Sequence, residues 1–251
     1  MKIRFSQTIL MLTLMLSGCQ RTEEFVSAGD ISVYQPFRIG SSVTYRLDST
    51  VYASNLTSKT VRTHVIRLVT DATVTDGMGR TAWRIIRSIR DPYDSTRWIP
   101  EVSFLAIPTT STLEWIEQNQ RFILMSLPIR DGFSWGGNRF INTVSDPQRQ
   151  YLDGWAYTWK SVGSPHAAGD RIFQNTATVE LRNDSINDAR DRTRYFSRDF
   201  ARDVYAKGVG LIYRERIHEV WQPPNGSSST GYFEPGSHGI RMTYVSHKES
   251  P

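Results

Sequence analysis

The feature that most constrains the fold is a pair of β-type runs joined by Asp76-Gly77-Met78-Gly79. Thr60 to Thr75 is rich in β-branched residues, and Arg80 to Ile89 alternates, with Ala82, Arg84, Ile86 and Ser88 opposing Trp83, Ile85, Arg87 and Ile89. Period-2 alternation across a glycine-bearing connection predicts an antiparallel hairpin, with Trp83, Ile85 and Ile89 pointing inward and Arg87 at a rim. Thr112 to Glu117 and Arg121 to Leu127 predict a second hairpin closed by Gln118-Asn119-Gln120, with Leu113, Trp115 and Glu117 on one face. Ser42 to Tyr52 alternates in the same way, and Arg97 to Ile107 is a further strand. Trp155 to Val162 pairs with Thr176 to Leu181 across a break at Gly163 to Gly169. Leu211, Tyr213 and Ile217 alternate against Arg214, Arg216 and His218, and Gly239 to Val245 closes the set. Residues 128–150 contain Pro128, Gly132 and Gly136-Gly137 and read as a long surface excursion. In Asn183 to Arg202 a helix competes, because Phe196 and Phe200 lie four apart on one helical face, while Arg194-Tyr195-Phe196 fits a strand as well. Many short strands without alternating helices predict a mainly β fold: one domain over residues 34–251, built on a curved antiparallel sheet, half-barrel or sandwich-like, with minor helix.

The N-terminus carries a different message. Lys2 and Arg4 precede the apolar run Ile9 to Leu16, which ends in Leu16-Ser17-Gly18-Cys19 and contains the only cysteine. A cationic start, an apolar stretch of about half the ~20 residues a membrane-spanning helix needs, and small residues before a thiol describe a cleaved export signal. Leu16, Ser17, Gly18 and Cys19 resemble the lipobox of bacterial lipoproteins. The resemblance implies a signal peptide over residues 1–18, acylation of Cys19, and a polar tether over residues 19–33. Acyl chains on Cys19 would hold the protein on a membrane. Gln20 after the cysteine is similar to the pattern sent to the outer membrane. Glu23-Glu24 looks like the surface-export signal of some Bacteroidota lipoproteins, and equally like a solvated linker. The expected location is therefore the outer membrane, on its periplasmic face or at the cell surface.

Three further stretches are similar to uncharacterised Bacteroidota-type lipoproteins: Pro36 to Tyr45, Leu127 to Asn138 and Val204 to Glu215. The resemblance implies a curved antiparallel sheet similar to the half-barrel of lipoprotein carriers, and transfers no catalytic residue.

Charge argues against nucleic acid. Removing the leader leaves 28 basic residues against 25 acidic ones, and they are interspersed, as in Asp188 to Arg194. No G-x-S-x-G elbow is present, the five histidines lack metal-ligand spacing, and an acylated Cys19 leaves no thiol, so neither catalytic residues, metal nor cofactor is expected. Glu114 and Glu117, three apart on a strand, point to opposite faces and form no acid pair, although acids from distant strands could meet. Asp91 and Asp94 are expected to cap a turn. Trp155, Tyr157 and Trp159 share one strand face and are the candidate ligand platform; the alternative is that such rings fill the core. The expected role is a non-catalytic binding or interaction module of the cell envelope, whose partner is an envelope protein, a glycan or a lipid. A glycan-acting hydrolase and a purely structural envelope protein are the alternatives. A concave cavity decides between them: apolar for lipid, Trp-floored for sugar, absent for a scaffold.

Overall fold

The computed structural model describes residues 29–94, 96–226 and 229–250. Leu16, Ser17, Gly18, Cys19 and the tether up to residue 28 lie outside the described residues. A short helix α1 (Ile31–Tyr34) is capped by Asp30, whose carboxylate accepts the Ser32 N–H. The strands follow: β1 (Ser42–Tyr52), β2 (Lys59–Thr75), β3 (Thr81–Arg90), β4 (Ile99–Pro108), β5 (Thr112–Glu117), β6 (Gln120–Ser126), β7 (Ser134–Trp135), β8 (Tyr157–Ala168), β9 (Arg171–Ile186), β10 (Phe196–Ala206), β11 (Gly210–Gln222), β12 (Tyr232–Phe233) and β13 (His238–Lys248). A 3-10 turn, Gln150–Leu152, lies between β7 and β8.

All thirteen strands join one antiparallel sheet in the order β6-β5-β4-β3-β2-β1-β13-β11-β10-β9-β8-β7, with β12 added beside β11. Strands β1 to β6 pair in sequence order, as do β7 to β12, while β13 lies between β11 and β1, pairing with β1 from Ser42↔Lys248 to Thr50↔Gly239. The first and last long strands thus zip together, and the sheet's free edges fall in mid-chain, at β6 and β7. These edges are bridged rather than laddered. The Ile123 N–H donates to the Gly137 carbonyl at 2.8 Å. The indole N–H groups of Trp135 and Trp159 donate to the carbonyls of Ile123 and Ser126, each at 2.8 Å. The sheet is a nearly closed barrel, which blunts the edges an open sheet would expose.

Local chemistry explains the turns. Asp76 accepts the N–H groups of Met78 and Arg80 on one carboxylate oxygen, closing the β2–β3 hairpin. Gln118 and Asn119 both take positive φ, 48° and 62°, the two-residue geometry whose twist matches that of the strands it joins. Asp91 and Asp94 each accept a backbone N–H two residues on, from Tyr93 and Thr96.

Three expectations need correction. Asn183 to Arg202 is not helical: it divides between β9 and β10, and the helix of the described residues is α1 instead. Phe200 pairs with Asn183 and Ile217 on its two sides, so ladder bonds and the packing of Phe196 on Trp221 and Phe233 override the helical spacing. Residues 128–150 are a surface excursion only in part: Ile129, Asn138 and Ile141 are buried and the segment carries the seam, while 142–150 stay exposed or half-buried. The break at Gly163 to Gly169 lies mostly within β8, where register shifts bend the strand. The β8–β9 tip folds over the barrel's outer wall, and Phe173 sets its ring edge-on to Tyr244 at 5.0 Å.

Candidate functional site

The inward faces of the strands line the barrel's interior. Tyr45, Leu47, Ile66, Ile85, Phe104, Leu113, Trp115, Leu124, Trp159, Val179, Leu211 and Met242 form its apolar lining. This lining does not fill the interior, and two cavities remain. One, of about 340 Å³, lies beneath α1 and the segment that follows it, against Phe37, Tyr45, Ile85, Leu113 and Leu211. The other, of about 490 Å³, lies against Phe104, Glu117, Tyr151, Trp155, Tyr157 and Met242. Leu68, Trp115, Leu124 and Arg214 line both, so the two chambers meet at that ring of residues.

An ion cluster sits in the wall at this junction. Asp203 on β10 faces Arg214 on β11 across the ladder. Only 1% of the Asp203 side chain is exposed, and Arg214 grips it through Nε at 2.9 Å and Nη2 at 2.7 Å. Arg216 reaches the same carboxylate at 2.8 Å, and the Tyr205 hydroxyl donates to it at 3.2 Å. Burial by itself would raise the Asp203 pKa, but the two guanidiniums outweigh it and hold the carboxyl well below the usual range. Burial, reinforced by the Asp203 charge, pushes the Tyr205 phenol well above its ordinary value. The cluster is therefore fixed as ions, and Asp203 is unsuited to donate a proton at neutral pH.

At the far end of the larger chamber Tyr151, from the 3-10 turn, stacks on His218 at 4.2 Å, and His238 lies 5.7 Å from the same ring. His218 Nδ1 pairs with Asp199 at 2.7 Å. Desolvation lowers the pKa of His238, against the opposing pull of its Nδ1 contact with the Gly236 carbonyl. The Nδ1 contacts of the two imidazoles are thus a carboxylate for His218 and a backbone carbonyl for His238. No cluster of three or more His, Cys, Asp or Glu able to hold a metal occurs among the described residues.

The structure brings Trp155, Tyr157 and Trp159 to the barrel's inner side. Trp155 and Tyr157 line the larger chamber, whereas Trp159 is fully buried and lines neither. Each has its polar atom occupied: Trp155 on the Tyr151 carbonyl, Tyr157 on the Asn138 amide oxygen, Trp159 on the Ser126 carbonyl. Leu16, Ser17, Gly18 and Cys19 lie outside the described residues.

Sequence reasoning missed Asp203, Arg214 and Arg216. Simple alternation along β11 sets Tyr213 on the side of Leu211, but the pairing slips between Val204↔Tyr213 and Tyr205↔Leu211. The extra residue, Ile212, sends Tyr213 to the outer face beside Arg202 and Glu215, while Arg214 and Arg216 turn inward. The discernible signal was the spacing of Asp199 and Asp203 against Arg214 and His218: acids four apart meeting bases four apart on paired strands.

A nearly closed antiparallel barrel with a partly empty interior is consistent with a lipocalin-like carrier fold. No protein family, curated protein or solved structure matches the chain.

Proposed function

We propose that the chain is a non-catalytic binding module, lipid-anchored at the outer membrane through Cys19, that holds a hydrophobic ligand inside its barrel. The observation that carries this reading is the pair of chambers meeting at Leu68, Trp115, Leu124 and Arg214. Their volumes fall in the range of small-molecule sites, roughly 300–1,000 Å³. A scaffold gains nothing from leaving such space, because an unfilled apolar cavity destabilises the fold that contains it.

Titration of the folded protein with N-phenyl-1-naphthylamine tests the reading. The dye should bind saturably at one site per chain with enhanced fluorescence. Leu68→Trp, which fills the junction, should abolish binding while the far-ultraviolet circular dichroism stays native. Linear, unsaturable uptake, or equal binding by a folded Leu68→Trp variant, would remove the interior as the site.

A further inference from the structure

The junction between the chambers holds polar groups that the protein itself leaves unsatisfied. Trp115 lines both chambers with only 8% of its surface exposed, and its buried indole N–H has no hydrogen-bond partner. A buried donor left unpaired costs roughly 1–3 kcal/mol. The indoles of Trp155 and Trp159 are satisfied; the Nε atoms of Arg67, Arg182 and Arg202 are also buried without a partner, but none of those arginines lines either chamber. Arg214, the only charged side chain shared by both chambers among the described residues, spends Nε and Nη2 on Asp203, and no acceptor for its Nη1 occurs among the described residues. Arg216 spends Nη1 on Asp203 and on the carbonyls of Arg202 and Glu215, and no acceptor for its Nη2 occurs among the described residues. Two guanidiniums thus share one carboxylate. Glu117 opens into the larger chamber and acts on Arg214 at longer range, forming no ion pair within 4 Å.

We propose that Trp115 and Arg214 form the head-group site for a single-chain amphiphile with an acidic head, a fatty acid in chemical class, whose apolar chain lies inside the barrel. The inference rests on the binding function proposed above and specifies its ligand. Every unsatisfied group at the junction is a donor, so the matching partner is an acceptor only; a carboxylate fits, and an ammonium is repelled. Both chambers offer apolar wall to the chain: Phe37, Ile85 and Leu113 in the smaller, Phe104, Leu181 and Met242 in the larger. Asp203 keeps the two arginines in place before any ligand arrives, a preorganised arrangement that spares the ligand the ordering of two long side chains.

The experiment compares decanoate, 1-decanol and decyltrimethylammonium on the purified protein by isothermal titration calorimetry, at neutral pH. Decanoate should bind at least about 10-fold tighter than decanol, the ratio expected for a charge-assisted hydrogen bond to a buried donor, and the ammonium should not bind. Trp115→Phe keeps a smaller aromatic ring in place and removes the N–H. It should weaken decanoate several-fold and leave decanol unchanged. If decanol and decanoate bind equally, the interior is a ligand site without an acid-specific head group, and this inference falls while the binding function stands. If none of the three binds, both fall. Equal decanoate affinity in wild type and Trp115→Phe would take Trp115 out of the site and overturn the assignment as stated.

Discussion

Asp203→Asn tests the interior electrostatics most sharply. The side chain is 1% exposed and carries two guanidiniums whose own side chains are 16% and 18% exposed. Replacing the carboxylate by an amide of the same size leaves the shape intact and the two cations without their counter-charge. Breaking a buried ion pair by removing one partner typically costs about 3–5 kcal/mol. The two arginines also border a cavity that admits water, so the lower end of that range, about 3 kcal/mol, is the expectation here. In a chain of this size that corresponds to a fall in melting temperature of about 6–12 °C, at roughly 2–4 °C per kcal/mol. The assay is urea unfolding followed by tryptophan fluorescence, repeated as pH is lowered. Asp203 has a folded pKa below its unfolded one, so its contribution is fully present above the unfolded value near 3.9 and is lost as pH falls below it. The gap between wild type and Asp203→Asn should therefore be constant at neutral pH and shrink below about pH 4. Surface carboxyls such as Asp188 and Asp191 are also lowered, by Arg190 and by Thr193, and add the same acid slope to both proteins, so the difference isolates Asp203. A loss under 1 kcal/mol, or a gap independent of pH, would refute the reasoning.

Trp159→Ala should lower stability by about 3–5 kcal/mol, because the ring is fully buried and its N–H ties β8 to β6; thermal melting monitors it, and a near-neutral result would contradict the seam geometry. Gly137→Ala should be strongly destabilising or open the β6–β7 seam, since a Cβ there would lie 2.1 Å from the Tyr157 ring; hydrogen exchange at the Ile123 amide reports it, and native-like protection would count against the closure described. Trp83→Ala should be milder than Trp159→Ala, because Trp83 is only partly buried and stacks on Phe37 at 5.8 Å; equal losses in the two melts would contradict that packing. Cys19→Ala should release the protein from the membrane fraction or leave its leader uncleaved, and mass spectrometry finding an unmodified Cys19 in membrane-bound protein would end the anchoring proposal.

What was legible in the sequence was the local part of the fold. Hairpins centred on Gly77 and Asn119 declare themselves because alternation and turn chemistry act over a few residues. Closure is not local. The pairing of Ser42 with Lys248 joins strands some two hundred residues apart, and the seam depends on Trp135 and Trp159 finding carbonyls across a gap that no periodicity marks. The chambers were hidden for a related reason. Period-2 reading fails at a bulge, and one extra residue at Ile212 was enough to misplace the interior arginines. Phe196 and Phe200 show the converse, a helical spacing overruled by strands on both sides.

The most direct test of the central claim is a crystal structure of the protein with 10-bromodecanoate, read from the anomalous signal of bromine. The account predicts one bromine peak inside the barrel, within one of the two chambers, with the carboxylate against Arg214 and the Trp115 N–H. A peak confined to the barrel's outer surface, or an interior without ligand at saturating concentration, would contradict it.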